Sequence, residues 1–452
     1  MAVRLIPDRF GVGGARYHLV RFDKDGHERN EPGGHSGIDA VLEELRGQPE
    51  STDVFLICHG WNGDEQGAMA QYDAWVSQMI RNQPEIARSF RPLIIGIHWP
   101  SKAWGDDRIV DVEGEPGTIG IKRAVDTYAS VLSDKVEVRE AMTSIFSAVT
   151  KAGEESETDR ETSLPDELAI CYQTVRDETN LKLDENSRTA AVWSPHTAFD
   201  TAWNDTDPSL ALAPIDDRSW AERFRDALLA PMRQLSFWTM KDRARTVGEV
   251  GVHPFLMEMQ KIAEAAATPS APVRFHMVGH SFGCIVVSAG IAGPPSAQPV
   301  QRKVHSLLLL QGALSIWAFA KKAPRTDQAG YFRRILDQRL VLGPIVTTRS
   351  KIDFAVGRFY PIGAGIARQI VLGEDDDPIF GGLGAFGIRG VPEAKQATIL
   401  PPRSDYAFAR GVIYNVDATA IIATRRPVEG AHNDIVHPEV ANLAWQAAMA
   451  TG

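Results

Sequence analysis

Cysteine is scarce in this chain. Cys58, Cys171 and Cys284 are the only three in 452 residues, and their spacing spells neither a disulfide framework nor a zinc pattern. Long apolar runs are missing too: no stretch of eighteen apolar residues exists, so no membrane span is encoded. Residues 1–8 lack the apolar core of an export signal, which makes the cytoplasm the expected location. Basic charge is outweighed, with 48 Lys and Arg against 58 Asp and Glu and a net charge of −10. That balance argues against nucleic acid, which requires a basic face, and weakens attraction to anionic membrane surfaces. No internal repeat is visible. What remains is the composition of a globular protein, long enough for about three domains.

The most informative segment present is Gly279-His280-Ser281-Phe282-Gly283. It follows the apolar run 273–278 and precedes Cys284-Ile285-Val286-Val287-Ser288-Ala289-Gly290, a pattern of strand, sharp turn and helix that puts Ser281 at the turn. A serine there has its hydroxyl pushed out above the sheet, and a bulky neighbour at 279 or 283 would collide with the adjoining strand or helix. Unpaired N–H groups of the first helical turn and the positive end of its dipole favour negative charge developing beside it.

With that strand–turn–helix context, the motif resembles the nucleophile turn of the α/β-hydrolase superfamily, whose partner residues follow the serine in the order acid, then histidine. The resemblance implies an acid just past the next strand but one. Pro344-Ile345-Val346-Thr347-Thr348-Arg349-Ser350-Lys351-Ile352-Asp353 fits, with Asp353 at its C-terminal end. It also implies a histidine in a loop after the last strand: residues 411–422 lead into Gly430-Ala431-His432-Asn433-Asp434, which makes His432 the base. Asp353 has a rival reading as an ordinary strand-end turn residue, and Glu374-Asp375-Asp376-Asp377 supplies other carboxylates, read as a solvated charge run. His437 competes with His432 but precedes Pro438 at the entry to a terminal helix over 439–449. His276 and His305 lie in or beside core strands and read as structural.

The same resemblance supplies oxyanion donors. The apolar strand 54–58 has the pattern of a strand buried on both faces and ends in His59-Gly60-Trp61-Asn62-Gly63, similar to the His-Gly-x stretch of lipases and esterases. The match implies the backbone N–H groups of Trp61 and Phe282 as donors. Substrate contacts are expected from His59, Asn62 and His280, with His59 more a prop for its loop than a chemical participant. A further likeness, Gly96-Ile97-His98-Trp99-Pro100-Ser101 together with residues 59–62, resembles an esterase-like bacterial branch of the superfamily. It does not extend over 101–235.

Along the chain, residues 15–26 read as a strand and hairpin turn that places an antiparallel edge at the start. Between 101 and 235 apolar spacing turns helical over 119–149, 165–178 and 219–241, with no intervening strand. The expected architecture is an α/β-hydrolase fold: a mostly parallel central sheet flanked by helices, built from 1–100 and 236–452, with 101–235 inserted as a helical cap. Six of the ten tryptophans fall in or beside that insertion. Trp193 and Trp203 are therefore candidates for lining a substrate cleft, with subdomain glue as the equal alternative. The stretch 363–402 reads as a long irregular loop. No metal or organic cofactor is implied. The expected partner is a small-molecule or lipid-like ester, and the expected activity is serine hydrolysis of carboxylic esters. An amidase, peptidase or acyltransferase would share the triad, and a catalytically silent binding module would share the fold.

Overall fold

The computed structural model describes residues 3–30, 33–47, 51–60, 65–85, 90–101, 117–152, 163–179, 193–203, 220–266, 272–324, 328–353, 355–356, 381–425 and 430–450. Trp61, Asn62 and the 374–377 acidic run lie outside the described residues.

The strands are β1 (Val3–Leu5), β2 (Arg16–Arg21), β3 (Asp53–Cys58), β4 (Pro92–His98), β5 (Arg274–His280), β6 (Ser306–Leu310), β7 (Ile345–Arg349), β8 (Lys395–Thr398) and β9 (Ile413–Asp417). They form one nine-stranded sheet in the order β1-β2-β4-β3-β5-β6-β7-β9-β8. Every pairing is parallel except that of β1 with β2. The protein is thus α/β with a mostly parallel sheet.

Parallel strands need crossovers that cover both faces, and the pattern of β3 reflects this, since all six of its residues are buried. Phe55 and Ile57, at alternate positions of β3, belong to one core cluster with Val278, Leu308, Leu310, Val346 and Val416 and with a single pair of the described helices. In chain order the helices are α1 (Gly37–Gly47), α2 (Glu65–Arg81), α3 (Gly117–Val131), α4 (Val136–Lys151), α5 (Asp166–Glu178), α6 (Pro195–Trp203), α7 (Trp220–Thr246), α8 (His253–Ala266), α9 (Gly283–Ala292), α10 (Arg333–Asp337), α11 (Leu383–Phe386) and α12 (Pro438–Met449). The pair is α2 and α12: Tyr72, Trp75, Val76 and Met79 of the first and Leu443, Ala444 and Trp445 of the second share the core cluster with those strand residues. Trp445 sets its ring edge-on to Phe55 at 5.4 Å and donates from Nε1 to the Met79 carbonyl at 2.9 Å. A second layer contains α1, α8 and α9.

The chain divides into two compact units, one of Met1–Ser101, Arg243–Gly357 and Gly381–Gly452, the other of Lys102–Asp242 and Arg358–Phe380. The described residues of the second unit are helical. Val138, Met142, Ile145 and Val149 recur along one buried stripe of α4, and Tyr172 of α5 donates its hydroxyl to the Leu228 carbonyl of α7.

Four local expectations are corrected. The helical pattern over 119–149 is two helices, because Ser133 and Asp134 compete for backbone hydrogen bonds and Lys135 is extended at φ −65° and ψ 148°. A nine-residue helix, α6, was too short to register as periodic. The antiparallel partner of β2 is the upstream β1, whereas the polar arm after Gly26 makes one bridge, Phe22 to Glu28. Within the described part of the 363–402 stretch, Lys395–Thr398 is an edge strand, unreadable as one because its exposed sequence Lys-Gln-Ala-Thr carries no buried face. Among the described residues no helix is long and apolar enough to cross a membrane.

Candidate active site

The eight mutually parallel strands end on the same edge of the sheet, and residues that follow β3, β5, β6, β7 and β9 meet there. β5 delivers Ser281 directly. Its φ of +55° is left-handed, a conformation costing about 1–2 kcal/mol in a residue with a Cβ. Three backbone bonds hold it: the Ser281 N–H donates to the Leu310 carbonyl, and its own carbonyl accepts from Cys284 and Ala313, all at 3.1 Å. The flanking glycines are required by close approach. A Cβ on Gly283 would stand 2.3 Å from the Cys58 carbonyl oxygen, and one on Gly279 2.6 Å from the Cys284 backbone.

The segments after β7 and β9 are stitched to each other. Asp353 bridges Gly430, and the Ala431 N–H donates to the Ile352 carbonyl at 2.9 Å. This brings the imidazole of His432 between the other two side chains. Its Nε2 lies 2.7 Å from Ser281 Oγ and its Nδ1 2.9 Å from Asp353 Oδ2. A carboxylate only accepts, so Nδ1 carries the proton and Nε2 presents its lone pair to the serine hydroxyl. All three groups are buried. The array can move a proton from serine to imidazole while the carboxylate steadies the imidazolium that forms.

His280 lies beside this relay without joining it, its ring centroid 5.1 Å from that of His432. Its Nε2 donates to the His432 backbone carbonyl at 3.0 Å, and its Nδ1 accepts from Gln71 Nε2 at 3.2 Å. Burial, reinforced by the nearby His432, pushes its pKa down to about 3, so it is a neutral strut between β5, α2 and the histidine loop. His59 is a prop as well. Its Nδ1–H donates to the Gly60 carbonyl at 2.8 Å, Nε2 accepts from the Trp99 backbone, and the ring stacks with those of His98 and Trp99. Burial, with His98 beside it, holds its pKa at about 3. Gly60 follows, and a Cβ there would sit 2.5 Å from the Ser281 Cβ. Phe282 follows the nucleophile at the head of α9 with its ring fully buried.

The competing histidines have other partners. His437 pairs with Asp434 at 2.9 Å; His276 lies between Asp53 and Ser306, and His305 accepts from the Phe275 N–H. The thiols of Cys58 and Cys284 are buried, which raises their pKa values far above the usual thiol range and keeps them inert. Trp193 donates to Gln234 Oε1 at 2.8 Å and meets Trp238 edge-on, while Trp203 stacks on Phe199 and packs against Trp220, Phe224 and Arg223. These contacts are internal to the second unit.

Sequence reasoning missed Gln311, the residue that follows β6. Its Nε2 donates to Asp353 Oδ2 at 2.8 Å. The available signal was a polar residue closing the run Ser306-Leu307-Leu308-Leu309-Leu310. Gln71 was missed as well, and an exposed-looking helix position gives no hint of it. Among the described residues no cluster of His, Cys, Asp and Glu suited to a metal ion occurs. No family model, curated protein or solved structure matches the chain.

Proposed function

We propose that the protein is a serine hydrolase of carboxylic esters built on an α/β-hydrolase fold. The observation that carries this reading is the unbroken series from Ser281 Oγ through His432 to Asp353, at 2.7 and 2.9 Å. Further support comes from the strained serine at a strand–helix turn and from the chain order of nucleophile, acid and histidine. The parallel sheet that ends on the site, with β3, β5, β7 and β9 each contributing a loop, agrees with it.

In this mechanism His432 Nε2 takes the hydroxyl proton as Ser281 Oγ bonds to the ester carbonyl carbon. The carbonyl oxygen becomes an oxyanion, for which the backbone N–H groups of Phe282 and Trp61 are the expected donors; Trp61 lies outside the described residues. Collapse breaks the bond to the alcohol, which leaves with the proton from His432. A water then repeats the sequence on the acyl-serine: His432 takes its proton, the acid departs, and Ser281 regains its hydrogen. Asp353 stays ionised throughout and holds the imidazole in one tautomer. The fixed second-unit aromatics, Trp193 and Trp203, have no assigned step.

A fluorophosphonate probe tests the reading. Stoichiometric labelling of Ser281, absent in Ser281→Ala, together with turnover of p-nitrophenyl esters, is the expected result. A folded protein that takes up no label would be a binding module with a silent site, and labelling without ester turnover would point to amide or acyl-transfer chemistry.

A further inference from the structure

The third member of the relay has a support that the relay does not explain. Gln311 is a non-glycine residue at φ +44° and is fully buried, so the fold carries a left-handed strain at the end of β6 as it does at Ser281. What the strain secures is the aim of one side chain.

The proton arrangement around Gln311 has a single consistent solution. The Gln311 backbone N–H donates to Thr348 Oγ1 at 3.0 Å. The Thr348 hydroxyl sends its own proton to Gln311 Oε1, at 2.9 Å. That assigns Oε1, and with it Nε2. The amide N–H groups then point at two acceptors, Asp353 Oδ2 at 2.8 Å and the Gly384 carbonyl at 3.0 Å. The flipped amide would set an oxygen against a carboxylate and a carbonyl. Asp353 Oδ2 in turn takes one donor from His432 and one from Gln311, while Oδ1 takes the Val356 N–H at 3.0 Å. Gly384 leaves the space for this, since a Cβ on it would lie 2.8 Å from Asp353 Oδ2.

We propose that Gln311 is a positioning residue for the hydrolytic reaction: it fixes the plane of the Asp353 carboxylate and shares the oxygen that faces His432, so that this oxygen's charge is divided between two donors. This rests on the serine-hydrolase reading of the site. Without the second donor, Oδ2 remains paired with His432 and Oδ1 with Val356, but the negative charge is concentrated on the imidazole side. The imidazolium is then favoured, and the base is freed of its proton only at higher pH. Asp353 from the segment after β7 and His280 from β5 face His432; His280 is neutral there and leaves the carboxylate as the charge that sets the balance.

The experiment measures the rate of fluorophosphonate labelling of Ser281 from pH 5 to 9 in the full-length protein, per folded molecule. Gln311→Met keeps the length and apolar volume and removes the donor. Its labelling at pH 7 should fall roughly 10- to 100-fold, as for a relay misaligned by up to an ångström, and the midpoint of the pH limb should move up by about 0.5–1 unit. Thr348→Val, which frees the amide to rotate and leaves Gln311 in place, should move the midpoint in the same direction by less. A purely architectural Gln311 would lower the melting temperature and the folded fraction and leave the midpoint where it was. A midpoint unmoved or lowered in folded Gln311→Met and Thr348→Val overturns the assignment. Absence of label on the wild-type protein would instead remove the hydrolase reading beneath it.

Discussion

Gly60→Ala tests how tightly the loop after β3 is pressed against the nucleophile. An added Cβ would lie 2.5 Å from the Ser281 Cβ, 3.1 Å from His280 Nδ1 and 3.2 Å from Ser281 Oγ, whereas ordinary contact begins near 3.4 Å. Close to an ångström must be found somewhere. Ser281 is held by three backbone hydrogen bonds in a left-handed conformation, and His280 is held at both ring nitrogens. The displacement is therefore expected to enter the 2.7 Å contact between Oγ and His432 Nε2. A misplacement of that size costs on the order of 100-fold in rate. Overpacking of a close contact costs about 1–3 kcal/mol, less than the 5–15 kcal/mol that typically separates folded from unfolded chains. The variant should stay folded, melt several degrees lower and label with fluorophosphonate about 100 times more slowly. Intact-mass kinetics and a thermal melt on the same sample measure both. Labelling within threefold of wild type in a folded variant would refute the close-approach argument.

Ser281→Ala and His432→Ala should each lower ester turnover by roughly 10⁵- to 10⁶-fold, and the double variant by little more, because the members act as a unit; wild-type-like turnover in folded Ser281→Ala would end the assignment. Asp353→Asn should cost about 10⁴-fold by permitting the wrong tautomer, and full activity would move the acid elsewhere. Below neutrality the fold should weaken. His59 and His280 bind protons only near pH 3 when folded but near 6.5 when unfolded, so their contribution is complete above about 6.5 and falls by about 1.4 kcal/mol per pH unit for each as pH drops. At pH 5 the pair costs roughly 4 kcal/mol, and urea midpoints unchanged between pH 5 and 7.5 would contradict their neutral burial. Trp193→Phe should destabilise by about 1–2 kcal/mol through the lost bond to Gln234 without changing the labelling rate per folded molecule; an altered ester profile in that variant would return Trp193 to the substrate's surroundings.

The parts of the site that were legible in the sequence are those whose residue type is dictated by a local turn. Ser281 announced itself because only small residues fit at 279 and 283, and the run from 54 to 58 read as a doubly buried strand because it has no polar face. Asp353 and His432 needed the chain order of a resembling family to be singled out, since nothing local distinguishes a strand-end aspartate from any other. Gln311, Thr348 and Gln71 were illegible for a different reason: their partners lie 42, 37 and 209 residues away, and hydrogen bonds at such separations leave no periodicity to detect. The edge strand β8 escaped because neither of its faces is buried.

The pairing of β3 with β5 has a consequence for how the molecule forms. Asp53 and Arg274, which join these neighbouring strands by a two-pronged ion pair, are 221 residues apart in sequence. Closing a flexible loop of that length costs about 5 kcal/mol of chain entropy before any contact returns it. The centre of the sheet should therefore close late and slowly, and the helices of the intervening segment gain importance as a folded block that shortens the free loop. Ser281, His432 and the support around Asp353 all hang from strands on the far side of that closure. Refolding from urea should show helix content returning well before fluorophosphonate reactivity, with an interval during which apolar β3 and β5 are open to pairing with another chain.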